Sequence, residues 1–273
     1  MNMRLLWRWW LILLGMLVMR QGMAAETLFL GVQDYNRSPI VVAEEFRGLA
    51  TYLSRVLQRP VKIETVRDYD KYLAEAKQKR FAFMFAPPSM IMQANKLAGY
   101  EPVAKIPGQI SAGFMTPVST GIAFPEDMKG KRIGFTDQKS MVTQLALAEL
   151  RRKKIDPATY FKSVAYYHDV DGIVTAFKYK LIDIGVANTG IMNLWNNSGM
   201  DINLIMQSTA VPHLTFAVRA DLPAGIKHSV AQALVSANTD QDAQSYFANT
   251  GFAGFEAASL ADYKDIVLLL NIR

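Results

Sequence analysis

The sequence predicts an α/β protein of two lobes, each a mixed sheet flanked by helices, with a ligand cleft between the lobes. Three observations predict this fold class. The chain has 273 residues, enough for two ordinary domains, and 51% of them are hydrophobic. Short β-rich runs alternate with stretches of helical periodicity, which is typical of a mostly parallel sheet. The alternation begins twice, and a further strand with helices follows the second unit.

The first 25 residues are predicted to be a secretory signal peptide, so they are not assigned to the fold. A basic start that includes Arg8 precedes an apolar run of 11 residues at positions 9–19, whereas a membrane-spanning helix needs about 20. A small-x-small pattern then predicts cleavage after Ala24 or Ala25. The alternative is an uncleaved amphipathic anchor, but no polar face repeats through the run.

The first α/β unit follows this segment. Strands are predicted at residues 28–32, 61–66 and 81–86, where β-branched and aromatic residues dominate or alternate with polar ones. Helices are predicted at residues 41–57 and 69–79, the first with apolar residues at helical spacing and ended by Arg59-Pro60. The order strand, helix, strand, helix, strand favours a mostly parallel sheet.

The second unit begins after a strand candidate at residues 113–118 and a turn-rich loop at 119–131. Its predicted strands and helices alternate as before: strands at 132–136, 164–167, 182–186 and 204–207, helices at 140–153 and 171–179. The chain then adds a strand at 214–219 and helices at 226–237, 240–249 and from about 260.

These elements divide the chain into two lobes. We expect the first lobe to comprise residues 26–118 plus 212–273 and the second lobe residues 119–211. Ligands of open α/β sheets bind at the carboxyl ends of strands, where helix N-termini point inward. The cleft between the lobes is therefore the expected site.

Composition excludes several classes of function. The chain has no cysteine, which rules out thiolate metal sites, a cysteine nucleophile and a lipid-anchored lipoprotein. The formal net charge of +6 falls to +3 without the signal segment, leaving 27 basic against 24 acidic residues. The basic run 151–154 ends a predicted helix, where cations complement the helix dipole, so no nucleic-acid partner is predicted.

The patterns of common catalytic sites are missing as well. The sequence has no H-E-x-x-H, G-x-S-x-G, Walker A or G-x-G-x-x-G motif. Its only histidines are His168, His213 and His228, so a three-histidine metal site would need all of them. Neither an enzyme nor a cofactor or metal is predicted.

Several segments together resemble one family. Residues 124–135, FPEDMKGKRIGF, resemble the start of the second lobe in type II periplasmic binding proteins. Residues 167–169, YHD, with 176–185, AFKYKLIDIG, resemble a segment of the phosphate, phosphite and phosphonate substrate-binding proteins of ABC transporters. Residues 66–76, 85–94 and 207–223 resemble further segments of that family in the same order. The resemblance covers essentially the whole chain after the signal segment.

The resemblance implies a function. Such proteins bind a ligand between two lobes that close by hinge bending, then present it to a membrane permease or a sensor. We therefore expect a periplasmic protein, a monomer, that captures a small anionic or zwitterionic ligand such as phosphate, phosphite or a phosphonate for an ABC importer. The alternative is a sensory protein of the same fold whose partner is a membrane signalling protein such as a histidine kinase.

The resemblance also implies roles for individual residues. Tyr69 falls on the family's ligand-contacting tyrosine and His168 on its ligand-contacting histidine. The family's Ser-Thr-Ser-Gly anion loop falls on residues 139–142, which read Lys-Ser-Met-Val here, with Thr143 one turn away as a substitute. The tyrosine of another family loop is Met90 in this chain.

The chemistry of these positions favours a small anion. Ser140 begins a predicted helix whose free N–H groups attract negative charge, and Lys139 would add a cation. His168 would donate to an oxyanion and Tyr69 would offer a hydroxyl and an aromatic wall. Each residue also has a purely structural interpretation: Ser140 as an N-cap, Lys139 as a solvated lysine, Tyr69 as a helix staple and His168 as a partner within its turn. By position alone, Tyr35 and His213 are added as candidates, whereas Asp183 is expected to be a structural turn residue.

Overall fold

The structure is a computed structural model that describes residues 26–34 and 37–272. The predicted signal peptide and Tyr35 lie outside the described residues. The strands, numbered β1 to β13 in chain order, are Leu28–Gln33, Val61–Val66, Phe83–Ala86, Tyr100–Lys105, Gln109–Ile110, Ala112–Pro117, Arg132–Phe135, Ser163–Tyr166, Ile184–Asn188, Ile202–Gln207, Val211–Pro212, Thr215–Arg219 and Glu256–Ala257.

The α-helices are numbered α1 to α10 in the same way. They are Pro39–Leu57, Tyr69–Lys77, Pro88–Ala98, Met141–Arg152, Pro157–Tyr160, Val170–Lys178, Ile191–Asn197, Ala224–Ser236, Gln241–Thr250 and Lys264–Leu269. Side-chain N-caps define several starts, because an oxygen of the cap residue accepts an N–H that the first turn cannot satisfy. Ser38, Asp68, Ser140 and Asp169 act in this way for α1, α2, α4 and α6.

Two mixed sheets organise these elements. The first has the strand order β13-β4-β12-β3-β1-β2, with β1 parallel to β2 and β3 and with β12 antiparallel to β3 and β4. The second has the order β10-β6-β9-β7-β8, with β7 parallel to β8 and β9 and with β6 antiparallel to β9 and β10. The predicted α/β fold with two mixed sheets is confirmed.

A two-stranded sheet joins the two parts of the molecule. Strand β5 pairs with β11 in antiparallel fashion, Val211 opposite Ile110 and Pro212 opposite Gln109. By sheet membership the chain passes to the second sheet between Lys105 and Ala112 and returns between Gln207 and Thr215. Since β6 belongs to the second sheet, we propose to place the first lobe boundary ahead of Ala112 rather than at residue 118, and the other boundaries stay predictions.

Three α-helices, α3, α5 and α7, lie where the sequence predicted no element. Pro87-Pro88 ends strand β3, and helix α3 begins directly at Pro88, because a proline at the first helical position lacks only an N–H that would have no intrahelical acceptor. Helix α7 occupies residues in the second lobe that carry the buried Trp195, which packs edge-on against Phe177 at 6.2 Å. None of the helices in the described ranges is long and apolar enough to span a membrane.

The core lies on the faces of both sheets. Phe46, Phe83 and Phe216 are fully or almost fully buried around the first sheet, and Phe114 and Phe135 around the second. One apolar cluster contains residues of both sheets, for example Met84 and Phe114. The two lobes therefore also pack against each other through apolar side chains.

Asp183 has the structural role expected of it. Its carboxylate accepts from the Arg132 guanidinium at 2.6 and 3.0 Å and from the Arg132 backbone N–H at 2.9 Å. The Arg132 side chain holds the pKa of Asp183 below its usual value. These bonds tie the start of β7 to the turn before β9.

We expect Asp183→Asn to destabilise the second lobe by about 1 to 3 kcal/mol at neutral pH. Because the folded-state pKa is lowered, the stabilisation is present at neutral pH and is lost as the pH falls below about 4. Urea unfolding of both proteins at several pH values measures this. The difference between them should shrink in acid, and a difference that grows in acid would contradict the assignment.

Candidate functional site

A cavity of about 310 Å³ lies at the carboxyl ends of strands from both sheets. The first sheet and its helices contribute Gln33, Asp34, Tyr69 and Pro87. The joining segments contribute Ile110, His213 and Leu214. The second sheet and its helices contribute Thr136, Asp137, Ser140, Met141, Val142, His168, Asp169, Val170, Ala187 and Asn188.

Helix N-termini surround this cavity. Of the helices in the described part of the chain, four begin at residues that line it: α2 at Tyr69, α3 after Pro87, α4 after Ser140 and α6 after Asp169. The N-terminal end of each helix carries a partial positive charge. Their convergence makes the cavity attractive to an anion.

The first turn of α4 places hydrogen-bond donors at the cavity. Ser140 is the N-cap, and its Oγ accepts from the N–H of Thr143 at 3.2 Å. Helix geometry gives the N–H groups of Met141 and Val142 no intrahelical acceptor. Both residues line the cavity. The same serine is therefore an N-cap and a cavity residue, so the two interpretations drawn from the sequence are compatible.

A cluster of three hydroxyl groups supports this turn. Thr136 Oγ1 lies 2.8 Å from Ser140 Oγ and 3.1 Å from Thr143 Oγ1, and Thr143 Oγ1 donates to the Thr136 carbonyl at 3.2 Å. Ser140 Oγ accepts from the Thr143 N–H, and the three hydroxyl groups hydrogen-bond one another behind the first turn of α4. Thr143 is fully buried and does not line the cavity, so it positions Ser140 from behind.

Lys139 does not line the cavity either. Its ammonium pairs with the carboxylate of Asp70 in the first turn of α2, and this hydrogen bond raises the pKa of Lys139. Asp70 belongs to the first lobe and Lys139 precedes α4 of the second, so the ion pair connects the two sides of the cavity. In the structure this cation bridges the lobes, and a contact between Lys139 and a ligand stays a prediction.

We expect Lys139→Met to weaken anion binding less than about fivefold, because the ion pair is exposed to solvent. Calorimetric titration with a simple phosphonate, the ligand class that the resemblance implies, at low and at physiological salt measures the effect. A loss of about a hundredfold would show that the ammonium contacts the ligand directly, as the sequence suggested.

The two cavity histidines have different partners. His168 Nδ1 lies 3.1 Å from a carboxylate oxygen of Asp169, whose other oxygen accepts from the Gly172 N–H at 2.9 Å. The Gly172 N–H and then the histidine lower the pKa of Asp169. His213 Nδ1 accepts from the Leu214 N–H at 2.7 Å.

Burial lowers the pKa of His213, so this imidazole is neutral at pH 7. Its ring packs edge-on against Phe252, with the ring centroids 5.9 Å apart. His213 follows β11 directly, on the return path of the chain between the sheets. It thus lies both in the cavity wall and beside the two-stranded sheet that joins the lobes.

Acidic side chains line the cavity, but their carboxylates accept hydrogen bonds from neighbouring protein groups. Asp34 accepts from the Arg37 guanidinium at 2.6 and 2.8 Å, and Asp137 accepts from the Lys139 backbone N–H at 2.7 Å. No lysine or arginine is among the lining residues in the described ranges. The same part of the chain contains no group of three histidine or acidic residues that could hold a metal ion.

The structure brings together four of the seven candidate residues named from the sequence: Tyr69, Ser140, His168 and His213. Sequence reasoning missed Thr136, Asp34 and Asn188. All three stand at or directly after the carboxyl end of a strand, β7, β1 and β9. That position was the available signal, since such ends meet at the ligand-binding edge of a sheet. Met90, at the position of a family tyrosine, is buried.

Comparison with known protein families decides the identity of the chain. The family model for the periplasmic substrate-binding protein of phosphonate ABC transporters matches residues 35–263. The chain belongs to this family. The resemblance inferred from the sequence is thus confirmed, and the family consists of periplasmic substrate-binding components of transporters.

Solved structures place this phosphonate-family protein in the two-lobed fold class. PhnD1 from Prochlorococcus marinus in complex with methylphosphonate has a TM-score of 0.75 at 17% identity over 90% of this chain and 99% of its own. A binding protein component of an ABC phosphonate transporter from Pseudomonas aeruginosa has a TM-score of 0.71 at 17% identity, over 90% of this chain and 85% of its own.

A Xanthomonas citri protein bound to ATP has a TM-score of 0.76 at 14% identity, over 90% of this chain and 96% of its own. At these identities the likeness shows the fold. Comparison with curated proteins finds no significant match.

Proposed function

We propose that the protein captures a small phosphonate or related oxyanion in the cavity and delivers it to an ABC importer. The observation that carries this proposal is the convergence of four helix N-termini on one cavity, with the N–H groups of Met141 and Val142 at its wall. Such N–H groups bind oxyanions without a full positive charge nearby.

The lining favours a ligand whose organic part is small and uncharged. Asp34, Asp137 and Asp169 are each held by protein donors, so they are poorly placed to receive an ammonium group. Apolar side chains, among them Ile110 and Leu214, form the joining side of the cavity. The Prochlorococcus marinus protein of the same fold holds methylphosphonate. We therefore propose short alkylphosphonates, with phosphite and phosphate as the related inorganic ligands.

The family supports a periplasmic setting. We infer that the protein works in the periplasm as a monomer beside a permease, after removal of the signal segment, and that it is not an enzyme. The alternative of a sensor that partners a histidine kinase has no support from the comparisons and stays a prediction.

Tryptophan fluorescence tests the proposed ligand. Trp7, Trp9 and Trp10 belong to the predicted signal peptide, so Trp195 is the only tryptophan of the exported chain. We expect methylphosphonate to change its emission on closure and to raise the melting temperature, as any ligand specific for the folded state does. Alkanols of similar size serve as controls. Absence of both responses to methylphosphonate, phosphite and phosphate would exclude the proposal.

A further inference from the structure

The end of the second lobe that lies opposite the cavity is basic. Strands β7, β8, β9 and β10 begin there and β6 ends there, whereas the cavity lies at the carboxyl ends of β7 and β9. The segments at this edge, residues 118–132, 151–163, 178–183 and 197–201, form the distal end of the lobe. They contain ten basic and five acidic residues, a net charge of +5. Because residues 26–273 carry +3 in total, the rest of that chain carries −2.

Hydrogen bonds and strand pairing join these four segments into one surface. The Lys162 N–H donates to the Lys131 carbonyl at 2.9 Å, which connects the second segment to the first. The Arg132 guanidinium donates to the Lys180 carbonyl at 2.6 Å, which connects the first segment to the third. The fourth segment lies beside the first because β10 pairs with β6. The basic residues are therefore gathered at one end of the second sheet.

The acidic side chains at the distal end are mostly held by protein groups, whereas the lysines are exposed. Asp127 and Asp156 accept from backbone N–H groups of their own turns at 3.0 to 3.1 Å, and Asp183 pairs with Arg132. The exposed lysines of the distal end are Lys129, Lys153, Lys154, Lys162, Lys178 and Lys180. The surface thus presents positive charge to the solvent, which is complementary to an anionic partner.

Large apolar side chains are exposed among these lysines. Phe124, Tyr179 and Leu181 have exposed fractions of 66%, 67% and 56%. Tyr179 stands between Lys178 and Lys180 in the sequence, directly after helix α6. Exposed apolar groups that share a surface mark an interaction site. Aromatic and aliphatic side chains beside lysines suit a membrane surface, because the rings enter the interfacial layer while the ammonium groups contact lipid phosphates.

We propose that the distal end of the second lobe docks on an anionic phospholipid surface. Its lysines contact the headgroup phosphates, and Phe124, Tyr179 and Leu181 enter the interfacial layer. The cavity lies at the opposite edge of the same sheet, so it stays outside the lipid contact. Such docking holds the protein at a membrane surface. The inference goes beyond the proposed function and does not depend on which ligand the cavity binds.

Sedimentation with lipid vesicles tests the inference on the exported protein, which begins after the signal segment. One set of vesicles is phosphatidylcholine alone, and the other contains about 30% phosphatidylglycerol as the anionic lipid. We expect binding to the anionic vesicles at low salt, at least about fivefold weaker binding at physiological salt, and at least about tenfold weaker binding to the neutral vesicles. Equal binding to both sets, or none to the anionic set, would overturn the proposal. A distal end that binds only membranes containing protein would indicate an acidic protein partner and would overturn it too.

Variants of the distal end locate the contact. The triple variant Lys129→Gln, Lys162→Gln and Lys178→Gln should lower the affinity for anionic vesicles at least about tenfold, because each ammonium group contributes separately. Phe124→Ala should lower it about threefold by removing an exposed ring. Unchanged melting temperatures of these variants would show that they remain folded. A triple variant that binds the anionic vesicles as the wild type does would overturn the assignment to the distal end.

A second triple variant is the matched control. It removes the same charge from three exposed lysines outside the distal end, by Lys62→Gln, Lys77→Gln and Lys264→Gln. We expect it to lower the affinity for anionic vesicles less than about twofold, and a loss equal to that of the first triple variant would overturn the proposed location. Calorimetric titration with methylphosphonate should give the same affinity in all of these proteins. Loss of vesicle binding with intact methylphosphonate binding would therefore overturn the docking surface and leave the proposed function standing.

Discussion

Replacing Met141 with proline is expected to weaken methylphosphonate binding by about 1.5 to 3 kcal/mol, the contribution of a hydrogen bond to a charged group. Met141 is the first residue of α4, and the preceding Ser140 has extended backbone angles, φ −62° and ψ 143°. Proline is accepted at this helical position after an extended residue. The substitution therefore removes an N–H at the cavity wall and leaves the helix intact.

Met141→Ala is the matched control. Both variants lose the buried methionine side chain, so both lose its packing, but only the proline variant loses the N–H. Calorimetric titration of the two variants isolates the contribution of that hydrogen bond. Equal affinities of the proline and alanine variants would show that the ligand does not accept a hydrogen bond from the Met141 N–H.

Phe216→Ala is expected to destabilise the folded protein by about 3 to 5 kcal/mol. Phe216 is fully buried in β12, between β3 and β4, with the rings of Phe83 and Phe255 at centroid distances of 5.9 and 6.5 Å. The space left by the ring cannot be refilled by these aromatic neighbours without moving the sheet. Because β12 follows His213 and Leu214 directly, the variant should also disturb the positions of these two residues in the cavity wall.

Denaturant unfolding followed by circular dichroism measures this effect. The control is Phe124→Ala, since Phe124 has 66% of its surface exposed. This substitution should lower the free energy of unfolding by less than about 0.5 kcal/mol. Similar losses in the two variants would contradict the description of the first sheet's core.

Much of the fold follows from local patterns in the sequence, and what was missed has a physical reason. Helices α1, α4 and α6 could be predicted because apolar spacing and N-cap residues agree there. Helix α3 was missed because Pro87-Pro88 reads as a break, although a proline is also favourable at a helix start.

Part of the site could also be predicted from the sequence. Ser140 was identified because it falls on the family's anion loop, at the start of a predicted helix. The role of Lys139 was not predictable, since its partner Asp70 is 69 positions away in the sequence and meets it only through the packing of the lobes. Thr136 carries no motif and becomes a cavity residue only because β7 ends there.

The hydrogen-bonding states of the histidines lie beyond sequence reasoning altogether. The adjacency of His168 and Asp169 is visible in the sequence, but whether the carboxylate meets Nδ1 depends on the extended backbone of Asp169 as the N-cap of α6. For His213, the partner is the backbone N–H of the next residue, so the types of the neighbouring residues do not predict this hydrogen bond.

A crystal structure of the protein grown with methylphosphonate tests the central claim most directly. We predict that the phosphorus atom lies in the cavity between the two sheets, with phosphonate oxygens accepting from the N–H groups of Met141 and Val142 and with His168 and His213 within hydrogen-bond distance. Methylphosphonate bound at another place, or a cavity without ligand at a saturating concentration, would contradict the account.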